Sequence, residues 1–177
     1  MKGVEIKTGR LLLRTVRAED AAAIYAYRSR PEVSRYQGRP KNLAAARRQT
    51  ATAAATKPNT PRTWYQFAVI EAQSGALIGD IAVHFKGGRQ AELGYTLAPE
   101  YQGRGYASEA ARGALGWLFG PMKIHRVTAT ADPRNKPSLK VMRRLGLRKE
   151  GHFKKSFWTG KEWADDAVYA LLKEEWK

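Results

Sequence analysis

Three strand-like runs follow one another in the middle of the chain, separated by turns too short to hold a crossover helix. Trp64–Ile70, Leu77–Phe85 and Gln90–Leu97 are rich in β-branched and aromatic residues. Glycine-containing turns, Ser74-Gly75 and the segment 86–89, lie between them. Because strands joined by such short turns run in opposite directions, we predict an antiparallel meander. The meander therefore predicts a fold built on a β-sheet.

The pattern changes after Pro99. A glycine-rich turn over 101–106 leads into a helix-like stretch, Ala107–Phe119, whose apolar residues share one face. The remaining predicted elements are strands over 8–17, 125–131, 152–158 and 167–172, and helices over 21–27, 43–55 and 137–145. This order predicts a mixed α/β (α+β) fold. The length suits one domain spanning residues 1–177.

Composition excludes several classes of protein. The sequence has no cysteine, which rules out a disulfide framework, thiolate metal ligands and a cysteine nucleophile. No apolar run approaches the roughly 18 residues of a membrane span, and the first residues lack the apolar segment of a signal peptide. We therefore expect a cytoplasmic protein with neither a membrane span nor a metal site.

The charge is strongly basic and unevenly distributed. Lysine and arginine number 32 against 16 acidic residues, a formal net charge of +16. The excess lies in two stretches, 28–62 and 134–155, each with nine basic residues and one acidic residue. Such charge predicts an anionic partner: nucleic acid, an acidic protein or a phosphorylated ligand. The alternative is two solvated basic faces.

The glycine-rich turn Gln102–Ala107 is a candidate anion site. A strand-to-helix turn rich in glycine exposes successive backbone N–H groups at a helix N-terminus, where a phosphate or diphosphate binds. It is not a Walker A loop, because no Gly-Lys-Ser/Thr follows, and the dinucleotide-binding pattern is incomplete. The alternative is a plain turn between a strand and a helix.

Two motifs carry a resemblance to a known family. Gln102-x-x-Gly105-x-Ala107 matches the acetyl-coenzyme A (acetyl-CoA) motif Q/R-x-x-G-x-G/A, and Asn135-x-x-Ser138 resembles the second half of the same core. The chain thus resembles the GNAT (general N-acetyltransferase) superfamily. It is further similar to the RimJ/RimL branch of ribosomal-protein N-terminal acetyltransferases over 8–14, 91–100, 145–151 and 168–176. The resemblance covers nearly the whole chain.

The resemblance implies a splayed, mostly antiparallel seven-stranded sheet with about four helices. It also implies that the sheet separates between two parallel central strands, Gln90–Leu97 and His125–Ala131, and that acetyl-CoA, the expected cofactor, enters the split. Arg144 would contact its 3′-phosphate. The expected cofactor-binding residues are Leu97, Gln102, Gly103, Arg104, Gly105, Tyr106, Ala107, Asn135, Ser138 and Arg144.

The family's reaction is direct acetyl transfer to a neutral amine, which needs a proton acceptor for the amine and a proton donor for the leaving thiolate. Glu92, on the strand beside the cleft, is the first choice of acceptor; the alternative is a structural carboxylate paired with an arginine. Ser138 matches the family's donor position, and its alternative is a local helix cap. Some RimL-like members carry a glutamate on the strand that corresponds to 152–158, but this sequence has no carboxylate there, so that assignment does not apply. Tyr95 and His84 are the fallback bases.

The resemblance therefore implies an acetyl-CoA-dependent N-acetyltransferase, with a protein N-terminal amine as the first-choice acceptor. The basic stretch 28–62 would steer an acidic or ribosome-borne acceptor. One alternative is a small amine, such as an amino acid or an antibiotic. Another is a non-catalytic protein that binds nucleic acid or the ribosome, which is less favoured because no RNA-stacking motif is evident. A monomer and a homodimer are both open.

Overall fold

The computed structural model describes residues 3–160 and 162–177. In these residues, eight strands form one sheet: β1 (Glu5–Lys7), β2 (Leu11–Thr15), β3 (Thr63–Glu71), β4 (Leu77–Gly87), β5 (Gln90–Leu97), β6 (Arg126–Ala131), β7 (Arg148–Trp158) and β8 (Trp163–Leu172). The helices are α1 (Ala21–Arg28), α2 (Pro31–Ser34), α3 (Leu43–Ala55), α4 (Tyr106–Phe119) and α5 (Lys136–Arg144). The predicted mixed α/β fold with a mostly antiparallel sheet is confirmed. None of these helices is both long and apolar enough to span a membrane.

The described chain has one strand and one short helix more than predicted. The predicted strand 8–17 begins with a tight turn, and β1 precedes that turn and pairs antiparallel with β2. Helix α2 is a single turn that begins at Pro31, three residues after the end of α1. Proline at a first helical position loses no hydrogen bond. Both elements are too short to show a periodic pattern in the sequence.

The sheet divides between two parallel strands. Strands β1 to β5 lie in chain order and are antiparallel, whereas β5 pairs with β6 in parallel. This parallel pairing covers three residue pairs and ends at Glu92 opposite Thr128. The strands continue to Leu97 and Ala131, each bonded only to its outer neighbour. The predicted separation of the sheet is confirmed.

Helix α4 covers one face of the sheet. Five of its small and apolar residues are fully buried: Ala110, Ala111, Ala114, Leu115 and Leu118. Trp117 packs against Tyr65 and Phe67, with ring centroids 5.8 and 5.1 Å apart. Each large apolar side chain buried in this way contributes about 1.5–3 kcal/mol. This packing holds the N-terminus of α4 at the end of β5.

The other face is covered by α1 and α3, and it buries a charge. Asp80 of β4 is fully buried, and its carboxylate lies 2.6 Å from the Arg28 guanidinium. The Tyr27 hydroxyl and the Gln66 amide also donate to it, at 2.5 and 2.9 Å. Because a buried carboxylate is tolerated only when it is paired and hydrogen-bonded, this cluster joins α1 to the sheet at one defined position.

A bulge interrupts the pairing of β7 with β8. Phe153 pairs with Asp166 and Phe157 with Ala164, so three residues of β7 lie opposite one residue of β8. That one residue is Asp165, whose carboxylate accepts a 2.8 Å hydrogen bond from the bulged backbone and contacts His152 at 2.7 Å. The bulge is therefore a braced and specific feature of the strand.

Candidate active site

A cleft opens where β5 and β6 part. Its portion toward α4 and α5 measures about 620 Å³, and its portion toward α1 and α3 about 1160 Å³. We call these the α4 chamber and the α3 chamber. They share walls formed by the separating strands, including Gly94, Tyr95, Thr130 and Ala131. The gap between the two strands therefore connects the chambers.

The glycine-rich turn lies in the wall of the α4 chamber. Gly103 and Gly105 have φ angles of 77° and 83°, a left-handed conformation that favours glycine. The backbone N–H groups of residues 103–108 donate to no acceptor within the described part of the chain. Gln102 donates from its side chain to the Leu97 carbonyl at 3.0 Å, which ties the turn to β5. The loop thus presents successive free donors at the start of a helix, the arrangement that binds an anion.

Side chains from the turn before β2, from β3 and from α4 hold this loop in place. The Arg10 guanidinium lies 4.3 Å from the centre of the Tyr106 ring and donates to the Arg104 carbonyl at 3.1 Å. Glu109 accepts from Arg10 at 2.7 Å, and the Tyr106 hydroxyl donates to Glu71 at 2.5 Å. The side chain of Tyr106 therefore supports the loop, while its backbone N–H has no acceptor among the described residues.

Ser108, the third residue of α4, adds a polar group that sequence reasoning missed. Its Oγ is buried and has no hydrogen-bond partner among the residues described. It belongs to the wall of the α4 chamber. A buried hydroxyl without a hydrogen-bond partner destabilises the folded protein. We therefore expect a polar ligand in the chamber to bond to this atom. A serine in the first turn after a glycine-rich loop was the available signal.

Two hydroxyl groups meet at the gap between the chambers. The Tyr95 hydroxyl is 3.0 Å from Ser138 Oγ and donates to the Ser138 carbonyl at 2.9 Å. Asn135 caps α5 by accepting from the Ser138 N–H at 3.2 Å. Burial raises the pKa of Tyr95 to about 12, although the hydrogen bond with Ser138 lowers it. The tyrosine is therefore a neutral hydroxyl at physiological pH, suited to donating a proton or a hydrogen bond and not to acting as a base.

Glu92 faces the α3 chamber at the point where the strands begin to part. Its carboxylate forms a 2.8 Å ion pair with Lys86, whose ammonium also donates to Thr128 at 3.3 Å. The paired carboxylate considered from the sequence is thus present, with a lysine in place of the expected arginine. His84 stacks on Trp64 with ring centroids 4.8 Å apart, a packing role.

The two basic stretches divide between the chambers and the outer surface. From 134–155, Lys140 and Arg144 lie in the wall of the α4 chamber. Arg148 is instead paired with Glu150 and Glu175. The charge of this stretch is therefore only partly directed at the cleft.

From the stretch 28–62, three arginines border the α3 chamber: Arg39, Arg48 and Arg62. Arg28 also contributes to its wall, but its charge is paired with Asp80. The wall of the chamber consequently holds both cationic groups and carboxylates.

Comparison with known proteins identifies the fold. Residues 10–148 match the family model described as Acetyltransferase (GNAT) domain. The chain belongs to the GNAT acetyltransferase family. YnaD of Bacillus subtilis strain 168, named an uncharacterized N-acetyltransferase, is 38% identical over 98% of this chain and 99% of its own length. A solved GNAT family acetyltransferase of Bacillus anthracis has a TM-score of 0.87 at 36% identity and covers 97% of this chain and 100% of its own. The ribosomal protein uS5-alanine N-acetyltransferase of Escherichia coli K12 is 34% identical over 48% of this chain and 43% of its own length.

GNAT acetyltransferases use acetyl-CoA, and the α4 chamber of this acetyltransferase fits that cofactor. The free N–H groups of 103–108 and the partnerless Ser108 Oγ match the oxygen atoms of a diphosphate. Gly105 permits the left-handed conformation of the loop, since a φ of 83° would strain any residue with a Cβ. The main evidence for this fit is that the backbone N–H groups of 103–108 have no acceptor among the described residues.

The structure gathers most of the residues that the sequence predicted for the cofactor. Those that lie in the wall of the α4 chamber are Leu97, Gln102, Gly103, Gly105, Tyr106, Ala107, Asn135, Ser138 and Arg144. Arg104 is the exception, with its guanidinium 5.9 Å from the centre of the Tyr101 ring. Glu92 lines the α3 chamber and is not part of the wall of the α4 chamber. Sequence reasoning did not find Ser108, Gln37 or Asp166, which also line the cleft.

Proposed function

We propose that this acetyltransferase acetylates the N-terminal amine of a protein with acidic residues near that terminus. The observation that carries the proposal is the size and charge of the α3 chamber. At about 1160 Å³ it exceeds the roughly 300–1,000 Å³ of small-molecule pockets. Its border carries Arg39, Arg48 and Arg62, which would attract acidic side chains. The uS5-alanine acetyltransferase, which is similar to this protein over 48% of the chain, is named for a ribosomal protein acceptor and supports a protein as the acceptor here.

On the cofactor side, acetyl-CoA supplies the acetyl thioester when bound. The free backbone N–H groups of 103–108 and the Ser108 hydroxyl would hold its diphosphate, and Arg144, in the wall of the same chamber, would hold the 3′-phosphate. Asn135 fixes the first turn of α5 and with it the position of Ser138. The hydroxyls of Ser138 and Tyr95 lie 3.0 Å apart, and in this proposal they donate to the leaving sulfur.

On the acceptor side, the amine must lose a proton before it can attack, because an ammonium has no lone pair. A carboxylate in the α3 chamber takes that proton. Glu92 is one such group, held by Lys86 at the narrow end of the gap. The cofactor and the amine therefore approach each other from different chambers and meet beside Tyr95.

An acceptor panel tests the proposal through release of free thiol from acetyl-CoA. The panel compares a tetrapeptide of alanine followed by three acidic residues, the same peptide with lysines, and alaninamide. We expect the acidic peptide to have the highest kcat/KM, about tenfold above the others, which corresponds to ~1.4 kcal/mol. The advantage should shrink as ionic strength rises, since exposed charges are screened.

Two neighbouring arginines supply the matched control. Arg48 borders the chamber, whereas Arg47 is an exposed residue of the same helix outside its wall. Arg48→Ala should reduce the preference for the acidic peptide, and Arg47→Ala should leave it intact. Equal kcat/KM for the three acceptors, or preference for alaninamide, would show that the acceptor is not an acidic protein terminus.

A further inference from the structure

A second carboxylate, Asp166 of β8, faces the α3 chamber. It is half-buried and forms part of the wall together with Ala164. Side chains alternate between the two faces of a strand. Asp165, its neighbour, is engaged with the bulge of β7, and Asp166 consequently points to the opposite side of the sheet, toward the cleft.

The register of the strands places Asp166 level with the open part of the gap. β5 and β6 pair up to Glu92 and Thr128, and Tyr95 and Ala131 each lie three residues beyond that last pair. Ala131 pairs with Ala167, the residue after Asp166. Asp166 is therefore one residue farther along than the level of Tyr95. Glu92, in contrast, lies where the strands are still joined.

The other carboxylates of this chamber are already neutralised. Glu92 is paired with Lys86 at 2.8 Å, and Asp132 with Arg134 at 2.7 Å. Asp166 has no ion pair with any residue in 3–160 or 162–177. It is thus the carboxylate in the α3 chamber that lacks a cationic partner within the described chain, and an ammonium group could supply one.

We infer that Asp166 is a catalytic residue that accepts the proton of the acceptor ammonium. The ammonium N–H bond breaks and its proton passes to an Asp166 carboxylate oxygen. The freed lone pair forms the N–C bond to the acetyl carbon while the C–S bond breaks. The nitrogen gives up a second proton, which the departing sulfur gains as it leaves as a thiol. The Asp166 carboxyl then returns its proton to water.

The electrostatic surroundings suit this role. Burial raises the pKa of Asp166, and the carboxylates of Asp132, Glu92 and Asp165 raise it further, whereas the Ser156 hydroxyl lowers it. A carboxylate with a raised pKa is a stronger base than an ordinary aspartate, which improves proton transfer from an amine. The inference depends on the acetyltransferase activity and not on the acceptor being a protein.

The test compares Asp166→Asn with Glu92→Gln at saturating acetyl-CoA. The acidic tetrapeptide and alaninamide are used in parallel, so an unsuitable peptide cannot be mistaken for a failed base. We expect Asp166→Asn to lower kcat about 100-fold or more, and Glu92→Gln to lower it only a few-fold. In the wild type, kcat/KM should fall as the pH drops through the raised pKa of Asp166. Asp166→Asn should lose this dependence and Asp166→Glu should restore it in part.

Folding is checked separately by the rise in melting temperature that acetyl-CoA produces in each variant, which should be unchanged. The inference is overturned if Asp166→Asn keeps its kcat and acidic limb, or if Glu92→Gln loses as much activity as Asp166→Asn. It is also overturned if Asp166→Glu binds acetyl-CoA normally but restores neither kcat nor the pH dependence.

Discussion

At the scale of single residues, the contact between Tyr95 and Ser138 places two hydroxyl groups at the gap that connects the two chambers. The hydroxyl groups are 3.0 Å apart, and Asn135 holds the serine by capping its helix. Because burial raises the pKa of Tyr95 to about 12, its proton stays on the oxygen across the physiological range. The pair therefore forms a donor network, in which each hydroxyl orients the other.

Removing these hydroxyls should affect turnover more than cofactor affinity. Ser138→Ala should lower kcat about 10-fold to 100-fold, since one donor to the developing thiolate is lost. Tyr95→Phe should have a comparable effect, and the double variant should lose less than the product of the two effects, because the residues act as a unit. Steady-state rates and the acetyl-CoA-induced shift in melting temperature measure both. Multiplicative losses would show that the two hydroxyls act independently.

At the scale of elements, the turn between β5 and α4 combines a left-handed backbone with a helix N-terminus. Gly105→Ala should weaken acetyl-CoA binding about tenfold or more, because φ of 83° disfavours a Cβ and the N–H groups would shift. Gly75→Ala provides the matched control, since its φ is 71° and it lies in open space in the β3–β4 turn. Calorimetric titration measures the affinity. Equal affinity in the two variants would mean that the turn does not hold the cofactor.

The sequence predicts this element well and its neighbours less well. Local signals such as glycines in a turn, a following amphipathic helix and Asn135 before α5 are sufficient to predict the cofactor side. Asp166 was missed because its position at the cleft depends on the register of β8 with β6, in which Ala131 pairs with Ala167. The Lys86–Glu92 pair and the Tyr95–Ser138 contact depend in the same way on strand register and helix docking. These are properties of tertiary structure that a linear pattern does not record.

At the scale of the whole molecule, the sheet is held between two layers of different character. The α4 layer is joined to it by apolar and aromatic contacts, with Trp117 at their centre. The α1 layer is joined by fewer apolar residues and by the buried Asp80–Arg28 pair. Since both layers border the cleft, the stability of the polar layer also determines the shape of the α3 chamber.

Asp80→Asn should lower the free energy of unfolding by about 3–5 kcal/mol, because it leaves the Arg28 charge without its partner. Glu100→Gln is the control: Glu100 forms a 2.8 Å pair with Arg30, and both side chains are about half exposed. Its loss should cost at most about 1 kcal/mol. Urea unfolding measures both. Equal small costs would show that the buried pair adds nothing to the attachment of α1.

The bulge in β7 has a consequence for the surface of the sheet as well. β7 is an edge strand, almost wholly exposed, and an exposed edge offers unpaired backbone groups to any passing strand. The bulge interrupts that row of groups, and Lys154 and Lys155 place positive charge at the interruption. Since charged side chains and bulges discourage pairing between edges, the bulge that binds the Asp165 carboxylate also protects the protein from aggregation.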